Sequence, residues 1–374
     1  MDVGPGGPTL ATLPILGPLT PVGRVAVVAA VALSGLTIGL EASAASELLV
    51  FVAAAAAIVG LAWVIGIATQ RLGALAGPHV GGILNATFGN IAELIIAFFA
   101  LRAGLVDVVK ASLTGSIIGN LLLVMGASVL VGGLRHGTQR FDPRIAGSNA
   151  ALLVLAAIGL FVPAIFAFSA ANHGAAPLED ESVIVAILLI VGYGLSLIWQ
   201  FTNPERTLGG HEPAEGRAGP TWPVRTSIGV LVAAAVLLAV MSEILVGAIG
   251  PFVDSFGLST FFVGVVLVPV IGNMAEQLVA VQLAAKDQME FSMAVAFGAS
   301  LQVALFVAPV LVIAGALIGQ PMDLVFTPLE VAAVGAAVGI STLIALDGES
   351  NWLEGALLVL VYLILAGSFF ELRT

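Results

Sequence analysis

The sequence predicts an all-α polytopic membrane protein of eleven transmembrane helices, one helix plus two inverted five-helix repeats. Three observations predict it. The 374 residues are 59% hydrophobic and only 9% charged, with a mean hydropathy of +1.13. Several apolar runs reach the eighteen or more residues that a membrane crossing needs, and no ten-residue alternating pattern suggests a β-barrel. The stretch Gly89-Asn90-Ile91-Ala92-Glu93 returns as Gly272-Asn273-Met274-Ala275-Glu276, each inside an apolar run.

Taken in order, residues 1–23 are rich in Gly and Pro and read as a disordered lead-in. Residues 24–46 form the first transmembrane helix, opened by Arg24. They resemble a signal peptide in their basic start, apolar core and small residues after Glu41. The length of that core and the lead-in before it favour a retained helix over a cleaved one. The first five-helix repeat fills 47–202, with spans at 48–68, 81–101, 108–131, 146–170 and 183–201. A polar linker, 203–224, marks the midpoint. The second repeat fills 225–374, with spans at 226–249, 259–284, 291–318, 330–345 and 352–370.

Loop charge orients the chain. Arg24, Arg71, Arg135, Arg140, Arg144, Arg206, Arg217, Arg225 and Lys286 fall on one side; Arg102, Lys110 and Arg373 fall on the other. The richer side is the cytoplasm, which places the N-terminus and linker inside and the C-terminus outside, in a prokaryotic inner membrane. A formal charge of −11 without a basic cluster argues against a nucleic-acid partner. The absence of cysteine removes disulfides and thiolate metal sites.

Positions 89 and 272, and 93 and 276, stand 183 apart, and the same offset carries Gly81 onto Gly264, Ala97 onto Ala280, Ala111 onto Ala294 and Gly115 onto Gly298. An odd number of helices per half makes the halves enter the membrane from opposite sides. A two-fold axis in the membrane plane then brings Glu93 and Glu276 together. Of 23 acidic residues, 20 fall in loops, termini or helix ends and only Glu93, Glu243 and Glu276 lie inside spans, and no Lys or Arg lies at comparable depth to pair with them. Carboxylates in oil mark ion or proton pathways, and two close together cannot both stay ionised without a counter-charge. Calcium accepts flexible oxygen coordination at about 2.3–2.6 Å. Protons compete for the same oxygens, which is a physical basis for proton-coupled antiport.

The remaining candidates surround the two acids. Asn90 and Asn273 are amides beside them; Gly89 and Gly272, with Pro269 ahead of the second, loosen the helices and free carbonyls. The next helix of each half adds Ser112, Ser116 and Asn120 at fourfold spacing, then Ser300 and Gln302. Glu243 and Gln277 are the candidates for a proton relay; Glu243 has Gly60 at its repeat position and so breaks the symmetry. His79, His136, His173 and His211 lie in loops or at helix ends and read as solvated, as does the cluster Glu179-Asp180-Glu181.

On the two Gly-Asn-x-x-Glu motifs, on Ser112-Leu113-Thr114-Gly115-Ser116 running into Asn120-Leu121-Leu122-Leu123-Val124, on the stretch from Gly298 to Phe306, and on Ser242-Glu243-Ile244-Leu245-Val246, the chain resembles the calcium/cation antiporter superfamily and its calcium/proton exchanger branch. The resemblance covers helices two to eleven. It implies inverted five-helix repeats, alternating access, binding of Ca²⁺ or protons in turn by Glu93 and Glu276, and no cofactor beyond the transported ions. Asn-x-x-Glu, where sodium/calcium exchangers usually carry Ser-x-Pro-Glu, implies protons as counter-ion. The chain departs from the family in carrying Gln277 where members commonly have His, and Ala299-Ser300 where they have two hydroxyls. A Na⁺-coupled or Mn²⁺-transporting exchanger is the alternative, and a cation channel a more distant one. An intramembrane enzyme would need an Asp pair at membrane depth, a Ser–His arrangement or a His-rich metal site, and the sequence shows none.

Overall fold

In the computed structural model, residues 15–76, 81, 84, 87–170, 178–203 and 222–372 are described. The first part of the lead-in, most of the midpoint linker, and His79, His173 and His211 lie outside them. The helices are α1 (Pro21–Ala42), α2 (Glu47–Ala76), α3 (Ile91–Arg102), α4 (Val106–His136), α5 (Pro143–Ala170), α6 (Leu178–Thr202), α7 (Val224–Gly247), α8 (Ile249–Phe256), α9 (Thr260–Ala284), α10 (Met289–Ile318), α11 (Pro328–Asp347) and α12 (Trp352–Glu371). Among the described residues, ten of these are long and apolar enough to cross a membrane; α3 and α8 are shorter. A two-residue antiparallel bridge pairs β1 (Gln139–Arg140) with β2 (Glu349–Ser350).

The expected span 81–101 is interrupted. Gly81, Leu84, Thr87 and Phe88 are helical, a turn follows at Gly89 and Asn90, and α3 starts at Ile91. Asn90 sits at φ −99°, ψ 28°, outside the helical range, and glycine before it offers no resistance to the turn. The second copy behaves differently: α9 runs unbroken through Gly272 and Asn273.

Three wide π-helical turns punctuate the central helices: Gly119–Val124 in α4, Val263–Leu267 in α9 and Val303–Val307 in α10. The first and third match at the 183-residue offset. Pro269 and Pro309 follow the second and third, and each removes the N–H that would bond the carbonyl four residues back. Such turns cluster at functional sites.

Packing follows the same pairing of halves. α3 packs on α7 and α9 on α2; α12 packs on the second half of α4, α6 on the second half of α10; α2 packs on α7 and α5 on α11. The centre belongs to α4, whose apolar window is 72% buried, against 17% for α6 at the rim.

The lead-in departs from expectation. The helix begins at Pro21, capped by the Thr20 hydroxyl, and residues 15–20 fold against the bundle with Leu16 and Leu19 buried. Arg24 Nε and an Nη donate to the carbonyls of Leu16, Leu19 and Gly17 at 3.0–3.1 Å. Arg71 donates to Pro18 O at 3.0 Å and lies over the ring of the fully buried Trp222, whose Nε1 donates to Ile15 O at 2.7 Å. One nearby and two long-range side chains thus supply partners for backbone that has no helix to bond to.

Candidate functional site

The site lies where α3, α4, α9 and α10 meet. α9 is held against α4 by a close approach at Gly115: a Cβ there would fall 2.0 Å from Val265 O, so only glycine admits the carbonyl that Pro269 has freed. That approach brings Ser116, one residue on, within reach of the α9 amide. Asn273 Nδ2 donates to Ser116 Oγ at 3.3 Å.

The other half repeats the contact. Asn90 Nδ2 lies 3.4 Å from Ala299 O and donates to Gln302 Oε1 at 2.6 Å. Positions 116 and 299 are 183 apart, as are 90 and 273, so each motif amide reaches across to the same place in the opposite half. Where the hydroxyl of Ser116 has no counterpart at Ala299, the backbone carbonyl and the Gln302 side chain take its role. Ser300, fully buried, returns its hydroxyl to Ala296 O at 3.0 Å. Asn120 is buried and its Nδ2 has no hydrogen-bond partner among the described residues.

Between the amides lie the acids. Glu93 is buried against the bare backbone of Gly272, where a Cβ would stand 3.1 Å from Glu93 Cγ and 3.5 Å from its Oε1. Glu276 is half-buried on the same helix, one turn past Gly272. Both oxygens of Glu93, Asn90 Oδ1 and Asn273 Oδ1 are buried with no hydrogen-bond donor among the described residues. Buried acceptors are almost always paired in native proteins, and unpaired ones cost free energy. Four orphaned oxygens drawn from both halves, beside a second carboxylate, form a ligand set for a hard cation or for protons. Among the described residues, no three or more His, Cys, Asp and Glu side chains are grouped so that they could hold a metal ion by themselves, so amides and carbonyls would complete any coordination here.

Gly89, Gly272, Asn90, Asn273, Glu93, Glu276, Ser116, Asn120, Ser300 and Gln302 all sit on these four helices or on the turn before α3. Gln277 follows Glu276 and is partly exposed. Glu243 is elsewhere. It lies exposed on α7, 3.8 Å from Arg102, each side chain 62% exposed. The expectation that no basic residue pairs with it is therefore corrected: Arg102, at the end of α3, reaches it. The census of buried acids also missed Glu330, only 2% exposed, which caps α11 and accepts from Thr114 Oγ1 at 3.1 Å. Its place at a helix start hid its depth.

The family model described as sodium/calcium exchanger protein matches twice, over residues 46–202 and 226–370. The chain is 46% identical over 340 residues to a Ca²⁺/H⁺ antiporter of Synechocystis, covering 87% of this chain and 91% of that one. It is 43% identical over 337 residues to a Ca²⁺/H⁺ antiporter of Aphanothece halophytica (87% and 90%). It is 42% identical over 318 residues to the Ca²⁺/H⁺ antiporter ChaA of Bacillus subtilis (84% and 90%). Among solved structures, native YfkE superposes with a TM-score of 0.79 at 36% identity, covering 93% of this chain and all of that one. An H⁺/Ca²⁺ exchanger, CAX, shares the fold at a TM-score of 0.68 and 14% identity.

Proposed function

Because the chain belongs to the sodium/calcium exchanger family, in its calcium/proton exchanger branch, we propose that it is a secondary-active antiporter exchanging Ca²⁺ against H⁺. The observation that carries the mechanism is the set of buried, donor-less oxygens of Glu93, Asn90 and Asn273 beside Glu276. Calcium neutralises the two carboxylates and accepts the amide oxygens as further ligands. When calcium leaves, protons take its place on the carboxylates, because the site offers no basic side chain to do so. Occupancy by one kind of ion excludes the other, and exchange follows.

Alternating access is supported by the difference between the two motifs. The first is broken at Gly89 and Asn90, the second continuous through Gly272 and Asn273. Two halves in opposite orientation that trade these conformations open the site to one side and then the other. The proposal includes eleven membrane-crossing helices, the interrupted stretch ending in α3 being the eleventh, and two inverted five-helix repeats. The twofold family match and the cross-half contacts at matched positions support that architecture. We place the protein in a prokaryotic inner membrane with the N-terminus in the cytoplasm, on the charge of its loops.

The test is uptake of Ca²⁺ into vesicles reconstituted with the full chain under an imposed pH gradient. Exchange requires the opposing gradient and is abolished by Glu93→Gln and by Glu276→Gln in folded protein. Calcium flux that persists without a gradient identifies a channel, and near wild-type exchange in either variant rejects the site.

A further inference from the structure

The halves are not equivalent at their ends. Lys110 lies on α4 six residues before Ser116, about 9 Å along the helix. Its ammonium pairs with Asp323, in the loop between α10 and α11, and donates to Val325 O at 3.0 Å. Asp323 Oδ1 also accepts from Val325 N at 3.0 Å, and Leu324 N donates to Ser182 Oγ at 3.0 Å, so the loop is already shaped to receive the ammonium. One turn further along the same face of α4, Thr114 donates to the buried Glu330 at the start of α11. The side chains of Lys110 and Asp323 are only 14% and 30% exposed, so the pair is poorly screened.

The position repeat-related to Lys110 holds Met293. In the shorter loop after α4, Arg140 meets Glu349 on the surface at 3.4 Å, with side chains 85% and 47% exposed, an arrangement that contributes little. At that opposite end, Gln139 Nε2 donates to Ala284 O and to the Asp287 carboxylate at 3.1 and 2.8 Å, and His136 Nε2 lies 3.0 Å from Ala285 O in the same turn after α9. Among the described residues, one end is fastened by a half-buried ion pair and the other by hydrogen bonds from an amide and an imidazole.

We propose that Lys110 and Asp323 form a catch holding the Lys110 end of the bundle closed, and that releasing it accompanies opening of the site to that side. The proposal rests on the alternating-access reading above. Lys110 and Asp323 act as positioning residues: they touch no ion, but they join α4, which holds Asn273 through Ser116, to the loop leaving α10, which holds Asn90. A transporter with two matched ends would divide its time evenly between them; this catch biases the resting population toward closure at the Lys110 end.

The chain has no cysteine, so a single introduced thiol reports access cleanly. Ser112, one turn from Ser116 toward Lys110, is buried and bonds only Val109 O at 2.8 Å. In reconstituted full-length protein carrying Ser112→Cys, labelling by a charged, membrane-impermeant thiol reagent from the Lys110 side is slow. Adding Lys110→Met speeds it roughly tenfold; Lys110→Arg does not. The charge-swapped pair Lys110→Asp with Asp323→Lys returns it toward the slow rate. Asp323→Asn serves as a second opening variant should Lys110→Met fold poorly. Labelling unchanged in both folded variants overturns the catch. Because the assay reads access without transport, that result leaves Ca²⁺/H⁺ exchange standing, whereas loss of gradient-dependent exchange in unmodified protein strikes at the exchanger reading.

Discussion

Gly115→Ala is the perturbation whose size follows most directly from the coordinates. The added methyl falls 2.0 Å from Val265 O, 2.6 Å from Val265 C and 2.7 Å from Pro269 Cγ. An ordinary contact is about 3.4 Å, so the carbonyl must retreat by about 1.4 Å, and it belongs to helix backbone that has no rotamer to change. Overpacking of this kind costs about 1–3 kcal/mol, against a helix-propensity gain of about 1 kcal/mol for replacing glycine. The second consequence falls on the site. Ser116 meets Asn273 at 3.3 Å; moving α9 by even about 1 Å carries that pair beyond hydrogen-bonding range. Asn273 then loses its orientation toward Glu93, and the Ca²⁺ concentration for half-maximal exchange rises about tenfold, equivalent to about 1.4 kcal/mol. The assay is initial-rate Ca²⁺ uptake in vesicles alongside thermal unfolding in detergent. Gly66→Ala, on an open face of α2 with nothing within 4 Å, is the control and leaves both readouts unchanged or slightly improved. Wild-type half-saturation and stability in Gly115→Ala would refute the reasoning.

Three other outcomes are expected. Glu243→Gln removes an ion pair that is largely in the open; exchange stays within about twofold and stability within about 1 kcal/mol, and a large loss of exchange would instead support a relay role for that residue. Trp222→Phe keeps the bulk but loses the donor to Ile15 O; stability falls by about 1 kcal/mol and the 15–20 segment gains sensitivity to limited proteolysis, while unaltered cleavage would contradict the tether. Apparent Ca²⁺ affinity rises with pH, because protons compete for the carboxylates: half-saturation falls as the pH is raised, by up to about tenfold per unit for each proton displaced. A flat profile would count against shared oxygens.

Much of the site was legible because it is written twice. The 183-residue echo located both acids, both amides and the glycine at 115 before any coordinates, since a gapless match across two helices constrains helix register. What the echo could not carry is whatever the halves do not share. Gln302 stands opposite Gly119, and Asn120 opposite Val303, so the partner that replaces the missing hydroxyl at Ala299 had no second copy to announce it. The interruption at Asn90 and the unbroken helix at Asn273 share the Gly-Asn-x-Ala-Glu core, so the motif alone does not set which one bends; the residues before it differ, and tertiary context acts as well. The partner of Glu243 was not legible because hydropathy gives depth along a span but not the face, and Arg102 from another helix reaches that face. The pairing of Lys110 with Asp323 joins residues 213 apart through a loop, beyond any local pattern. The order of residues 15–20 comes from nearby Arg24 together with Arg71 and Trp222 from distant parts of the chain, whereas their Gly and Pro content speaks only of turns.

The most direct test is the count of protons released when purified protein in weakly buffered detergent solution takes up Ca²⁺. With Glu93 and Glu276 intact, titration with Ca²⁺ acidifies the solution, and the release vanishes in the Glu93→Gln, Glu276→Gln double variant. Calcium binding to the unmodified protein with no proton release, or undiminished release from the double variant, would contradict a site whose oxygens serve both ions.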